Sequence, residues 1–374
     1  MGWRVRVFER ATSGLESRGT AIVTHDGLFV AFARAGVRID EIGMQLRGRT
    51  AFSRDGLQLA HFSYNQVLCA WSTLYRRLLE AVPPECYELG REVVDVEDRM
   101  DSVQIRFADG TQAHGDLLIG ADGIWSKVRG AVNPNEAPLY CGYIGWRGLL
   151  DETVMSESFR EVHAPVISVF VEPSGQLLVY TLAGADDSLQ PGRRRFGFLW
   201  YHTMDESGLP ALLTDTDGHY NGRWISPARI QPHLIERMRR QAAERLPPNL
   251  APVVQLSPNP FVQPIFDLAS KRIAFKRTAI IGDAAFVVRP HVGAGVLKAA
   301  DDAVALADAI AQERTIDGAL RRYEAERVPR GSRLVEQGRH LGSDLQRPSR
   351  SGAPALSVEE IIRELGRVEL LHAS

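Results

Sequence analysis

Three short segments hold residue types that can bind a charged, nucleotide-like group, and each closes a strand-like run. Phe8-Glu9-Arg10 follows the alternating Arg4-Val5-Arg6-Val7. An acidic residue at the end of the second strand of a dinucleotide fold accepts hydrogen bonds from a ribose. The plain alternative for Glu9 is a solvated charge. Leu118-Ile119-Gly120-Ala121-Asp122-Gly123 runs from an apolar strand into a turn, then a helix with Lys127 and Arg129. Glycines there let backbone approach a ligand closely, although an ordinary Asp-Gly turn has the same letters. The third segment says most. Ile280-Ile281-Gly282-Asp283-Ala284-Ala285 is followed by Arg289-Pro290-His291-Val292-Gly293-Ala294-Gly295 and a long helix pattern. Asp283 ends a buried strand. The glycine loop delivers a helix N-terminus whose free N–H groups and dipole favour negative charge. Such an end suits the pyrimidine edge of a reduced flavin.

These segments need a parallel sheet with its carboxyl ends on one side, where open α/β sheets bind ligands. The pattern supplies the pieces. Thr20 to Val37 reads as strand then helix, and Met44 to Tyr64 as strand-like runs broken by Gly48, Asp55 and Gly56. Trp71 to Val82 is helical and stops at Pro83-Pro84. Residues 91–120 form a hairpin around Asp109-Gly110 and then the strand before Gly120. From about Tyr140 to Phe266 strands dominate, with a helix at about Pro232 to Leu246. A helix is expected from Gly295 to Gln312, further helices over 316–345, a linker at Pro348–Pro354 and a last amphipathic helix from Val358 to Leu371. The expectation is an α/β, Rossmann-like binding domain over 1–47, 67–137 and 267–345. A β-sheet-rich substrate domain is inserted over 48–66 and 138–266, and 346–374 is a linker plus C-terminal helix.

Composition bounds the function. The chain has 374 residues, 44% hydrophobic, enough for two cored domains. A net charge of -2 gives no reason to expect nucleic acid. Cys69, Cys86 and Cys141 form no CxxC pair, so neither a metal site nor a disulfide framework is expected, and a reducing cytoplasm fits. No run of 18 apolar residues suggests a membrane span.

In order and spacing, the Glu9-Arg10, Asp122-Gly123 and Gly282-Asp283 segments resemble the FAD-contacting motifs of single-component aromatic hydroxylases, the p-hydroxybenzoate hydroxylase family. Gly142-Tyr143-Ile144-Gly145-Trp146-Arg147-Gly148, Phe198-Leu199-Trp200-Tyr201 and Arg289-Pro290-His291 resemble its pyridine-hydroxylating branch. The likeness reaches to about Leu345. It implies FAD and NAD(P)H as cofactors and a small aromatic substrate as partner. A homodimer is compatible with the sequence, and no membrane partner is implied. It also implies that Glu9 and Arg10 lie at the adenosine ribose, Arg18 near the flavin, and Asp122 and Gly123 along FAD and NAD(P)H. Asp283 falls at the ribityl chain or pyrophosphate, and Pro290, Gly293, Ala294, Gly295 and Val296 along the isoalloxazine. The family's opening strand, G-x-G-x-x-G turn and first helix have no counterpart here, since Met1 falls just before the second strand. Trp71 and Phe286 stand where many members carry arginine and histidine.

The implied reaction moves one oxygen atom of O2 to an electron-rich ring. A ring hydroxyl activates that ring best when ionised, so a base nearby helps. His291 ranks first, because an imidazole titrates near neutrality; Tyr201 and His202 come next. A loop-anchoring hydrogen bond is an equal reading of His291. Trp146 and Trp200 read as core before substrate stacking. Two rivals remain open. One is another flavoprotein such as a halogenase, against which stands the lack of a Trp-x-Trp pair among six tryptophans. The other is a non-catalytic ligand-binding remnant of this fold.

Overall fold

The computed structural model describes residues 2–15, 21–38, 42–220, 222–345 and 356–367. The elements in chain order begin with β1 (Val7–Phe8), β2 (Ala21–Val23), α1 (Asp26–Arg34), β3 (Met44–Phe52), β4 (Gln58–Ala70), α2 (Trp71–Glu80) and β5 (Tyr87–Glu88). Next come β6 (Val93–Asp98), β7 (Val103–Phe107), β8 (Gln112–Gly115), β9 (Leu118–Gly120) and α3 (Lys127–Val132). The strand-rich stretch holds β10 (Leu139–Asp151), α4 (Glu157–His163), β11 (Val166–Glu172), β12 (Gly175–Leu182), β13 (Arg195–Thr203), α5 (Leu209–Leu213), α6 (Pro232–Arg245), α7 (Ala251–Gln255) and β14 (Phe261–Ala269). The chain then returns through β15 (Thr278–Ile280), β16 (Phe286–Val287), α8 (Gly295–Gln312), α9 (Ile316–Leu341) and α10 (Val358–Glu364).

A nine-stranded sheet, ordered β16-β14-β10-β13-β12-β11-β3-β4-β2, dominates the molecule. Strand periodicity sorts its side chains into two cores. Ile144, Trp146, Phe198 and Trp200 face a core shared with Phe159, Leu212, Leu234, Met238 and Val254 of α4 to α7. Tyr143, Leu199 and Tyr201 face the other core, which Ile361 and Ile362 of α10 help close. The two tryptophans are therefore buried packing residues, as expected.

Two parallel pairs carry the cofactor-type segments. In one, β1 pairs with β5; in the other, β15 pairs with β9, Ile280 opposite Gly120. Both rest on the sheet β6-β7-β8, because Phe8 of β1 and Leu118 of β9 pack on its Ile105, Phe107 and Ala113. Phe8 meets the Phe107 ring edge-on at 4.9 Å. Behind β15, α8 buries Leu297, Ala305, Leu306 and Ala309, and α9 buries Leu320, Tyr323, Leu334 and Val335 at helical spacing.

Several expected boundaries shift. Residues 47/48 and 66/67 fall inside β3 and β4, which run unbroken in the large sheet with the 138–266 strands. Gly48 marks a register shift against β4 rather than a strand end. The helices expected over 316–345 are one 26-residue helix followed by a short turn. The last helix ends at Glu364 and packs on β3 and β4 rather than standing apart.

Candidate cofactor and ring site

Backbone pairing joins the second and third segments. Ile281 N–H donates to the Gly120 carbonyl at 3.0 Å, continuing the β9–β15 register. Arg129 then ties the loops together: its guanidinium donates to the Ala284 carbonyl at 2.8 Å and the Ile124 carbonyl at 2.7 Å. Asp122 and Asp283 thus follow the ends of neighbouring parallel strands.

The two carboxylates differ in use. Asp122 caps α3: Ser126 Oγ donates at 2.5 Å, and the Lys127 and Val128 amides at 2.7 and 3.1 Å. Its role here is helix capping, which leaves Gly123, with open space at its Cβ position, as the approachable member of the pair. Asp283 is different. Its side chain is 50% exposed at the strand end, and its nearest cation is Lys298 Nζ at 3.8 Å.

The loop 289–295 turns from β16 into α8. Gly293 has φ +64, and a Cβ there would meet the Val23 side chain and the Gly366 backbone at 3.1–3.2 Å. Only glycine satisfies both the left-handed conformation and the close approach. Ala294 caps α8 without a side-chain hydrogen bond. The first N–H groups of an 18-residue helix therefore look out beside Gly295, whose Cβ position has nothing within 4 Å. An open strand-end carboxylate next to an uncapped helix N-terminus fits the hydroxyls and the anionic pyrimidine edge of a flavin nucleotide. Of the other expected cofactor residues, Glu9 is half-buried and its Oε1 accepts the Ala11 amide at 2.7 Å, while Arg10 is exposed. Pro290 on the loop and Val296 in the first turn of α8 are half-buried, and Ala294 is buried. Arg18 lies outside the described residues.

The same loop carries His291 into the sheet. His291 is 1% exposed. Its Nε2 lies 3.0 Å from Tyr143 Oη, and its ring stands 4.4 Å from that of Tyr201, centre to centre. Its carbonyl accepts the Gly366 amide at 3.0 Å, so the turn after α10 fixes the loop from outside. Burial, with Arg289 adding to it, pushes the imidazole down to about 3. It is therefore neutral at ordinary pH rather than titrating near neutrality as expected, because a desolvated imidazolium beside a guanidinium is disfavoured. Tyr201 is fully buried and its hydroxyl has no hydrogen-bond partner among the described residues. Burial raises the Tyr143 and Tyr201 hydroxyls well above their usual range. Behind this cluster, Arg289 pairs with buried Asp267 at 2.8 Å, and Arg339 pairs with the other carboxylate oxygen at 2.8 Å.

His202 is not part of the cluster. It neighbours Tyr201 on β13, and strand alternation sends it to the opposite face. There its Nδ1 accepts from Arg245 at 3.3 Å and its ring packs on Trp200 at 3.9 Å. Burial first, then Arg245, pushes it down to about 3.

Sequence reasoning missed Tyr143, Asp267, Lys298 and Asp302. Tyr143 lay in a quoted segment without a role. Lys298 and Asp302 had one available signal: charges four apart on the buried stripe of α8, beside Leu297 and Leu306.

A family model described as "FAD binding domain-like" matches residues 140–267. The chain is 29% identical over 351 residues to 2,6-dihydroxypyridine 3-monooxygenase of Paenarthrobacter nicotinovorans, spanning 92% of this chain and 86% of that protein. It is 28% identical over 365 residues to 3-amino-4-hydroxybenzoate 2-monooxygenase of Streptomyces cremeus, spanning 92% and 82%. The solved structure of 2,6-dihydroxypyridine-3-hydroxylase from Arthrobacter nicotinovorans superposes with a TM-score of 0.88 at 26% identity, covering 96% of this chain and 90% of that one.

Proposed function

We infer that this chain is an FAD-dependent monooxygenase that hydroxylates a small electron-rich aromatic or heteroaromatic ring, of hydroxypyridine or phenol type, with NAD(P)H as reductant. The similar proteins are monooxygenases named for ring substrates. Neither a halogenase nor a binding remnant is favoured beside them. The observation that carries the reading is one loop with two faces. Residues 289–295 end on an uncapped helix N-terminus and, four residues before it, insert His291 among Tyr143 and Tyr201.

When bound, FAD supplies electron transfer from NAD(P)H to dioxygen and delivery of one oxygen atom to the ring. The chain's residues do the rest. Asp283 accepts hydrogen bonds from the ribityl hydroxyls. The α8 N-terminus stabilises negative charge at the pyrimidine edge. Gly123 and Glu9 line the nucleotide portion. Among the apolar walls around Tyr143 and Tyr201, the unpartnered Tyr201 hydroxyl is the donor or acceptor that a ring hydroxyl completes. Neutral His291 orients Tyr143 through its 3.0 Å bond; with its imidazolium disfavoured by burial and by Arg289, its part is to position that hydroxyl rather than to hold a proton.

The test uses the chain as it stands. FAD is titrated against it by flavin fluorescence, and hydroxylated pyridines and phenols are then screened for accelerated NAD(P)H oxidation with a product heavier by one oxygen atom. FAD binding together with such a product supports the reading. FAD binding with no ring compound consumed in any of the series sinks the substrate class.

A further inference from the structure

Lys298 is the fourth residue of α8 and is 0% exposed. Its Nζ makes no hydrogen bond among the described residues. It lies 3.8 Å from Asp283 Oδ1 and 3.8 Å from Asp302 Oδ2, with the Phe286 ring centre 5.9 Å away. A buried ammonium without hydrogen bonds is costly, so packing alone gives no reason for a lysine here.

Asp302 does not need it. One of its oxygens accepts the Gly282 amide at 3.0 Å and the other accepts Arg327 Nε–H at 2.7 Å. Asp302 and Arg327 already form a buried, hydrogen-bonded pair that anchors the start of the Gly282-Asp283 turn. The carboxylate left without another cation is Asp283. It is also the one with a half-exposed side chain on the cofactor side.

We propose that Lys298 is a positioning residue for the flavin-binding carboxylate: from beneath the strand end it holds Asp283 ionised and turned outward from the end of β15. This rests on the reading of Asp283 as acceptor for FAD hydroxyls. The groups around the pair are Asp302 on the same helix and Arg327 and Tyr323 on α9. Crowding by protein and the charge of Asp302 push the Asp283 carboxyl up, and Lys298 opposes them. Without the ammonium, Asp283 takes up a proton and loses acceptor strength toward a hydroxyl.

The test measures FAD affinity of the apo chain by flavin fluorescence from about pH 6 to about pH 9, above the usual carboxylate range. Lys298→Met should weaken FAD binding about ten-fold or more at neutral pH, as losing a charged hydrogen bond does. The deficit should shrink as pH rises and Asp283 ionises. Lys298→Arg should stay near wild type. Asp283→Asn should show a similar loss with no pH dependence, and adding Lys298→Met to it should cost nothing more. A methionine variant with the wild-type affinity and pH profile overturns the proposal, as do additive losses in the double variant. If Asp283→Asn alone binds FAD like wild type, the reading of Asp283 itself fails and the proposal falls with it. Should Lys298→Met not fold, a carbon-13 titration of the Asp283 carboxyl decides. An ionised group through neutral pH in wild type and Lys298→Arg supports the role, and a protonated one overturns it.

Discussion

Mild acid should unfold this protein well before its carboxylates titrate. Of the buried histidines, three are held in neutral form. Burial pushes His163 down to about 4; burial and Arg245 push His202 to about 3; burial and Arg289 push His291 to about 3. In the unfolded chain each returns to about 6.5. A histidine with a depressed folded value leaves stability untouched above its unfolded pKa. It removes stability as pH falls below that value, because only the unfolded state takes up the proton. The loss stops growing near the folded value. The window therefore runs from about pH 6.5 down to about 4 for His163 and to about 3 for His202 and His291.

At pH 5 each histidine costs about 2 kcal/mol relative to pH 7, from about 1.4 kcal/mol per pH unit over about 1.5 units. Three give about 6 kcal/mol, which is comparable to the whole stability of an ordinary domain. The assay is urea unfolding followed by tryptophan fluorescence between about pH 7.5 and pH 5, with the slope of stability against pH read as proton uptake. The expected uptake near pH 5.5 is about three protons per chain. His163→Gln, which can keep a bond to Ser168, should reduce it by about one. An uptake below about one proton would refute the reasoning, since the three imidazoles would then be charged, or solvated, in the fold.

Asp302→Ala should destabilise the chain by about 3–5 kcal/mol, because it strands the Arg327 and Lys298 cations and the Gly282 amide in the interior; a melting temperature within a degree or so of wild type would contradict this. Gly331→Ala should also destabilise, by about 1–3 kcal/mol, since a Cβ there falls 2.5 Å from the Phe286 ring. A rise in melting temperature would mean that helix propensity outweighs the clash. His291→Asn should leave FAD affinity unchanged while slowing product formation about 100-fold, because Tyr143 loses the partner that positions it; equal single-turnover rates would leave His291 only its loop-anchoring bonds.

The parts of the fold that obey simple periodicity were legible. Apolar spacing put α8 at Gly295–Gln312, where it lies, and α6 within a residue of its observed end. The Asp109-Gly110 hairpin joins β7 and β8 as expected. Domain borders were less legible, because Gly48 and the Asp55-Gly56 turn look like breaks in sequence. In the structure one is a register shift and the other a tight hairpin between two long strands of a single sheet. The candidate site split the same way. Glycines and strand-end acids announce themselves by type, so the loops around Asp283 and Gly293 were found. Whether an acid is free or already committed depends on partners, and that made Asp122 and Asp283 look alike.

His202 and Tyr201 show where one-dimensional reasoning stops. They are adjacent and chemically plausible, yet strand geometry makes them the two residues that cannot serve one site. Parity carries the argument further. Tyr143 and Tyr201 face the His291 side, and β10 pairs with β13 so that Gly145 lies opposite Tyr201. A Cβ on Gly145 would reach Leu199 at 2.9 Å and the Tyr201 ring at 3.6 Å. The glycine between Ile144 and Trp146 thus leaves room for the Tyr201 ring to lie against β10 and reach His291. Within the Gly142–Gly148 run it is Gly145 that makes this space; a Cβ on Gly148 would instead meet Phe198 and Ser257 on the opposite face. The loop 289–295 meets the sheet through His291, against Tyr143 and Tyr201, and through Arg289, paired with Asp267 of β14. Whatever moves that loop moves this cluster, including the Gly366 amide that holds the His291 carbonyl from the far end of the chain.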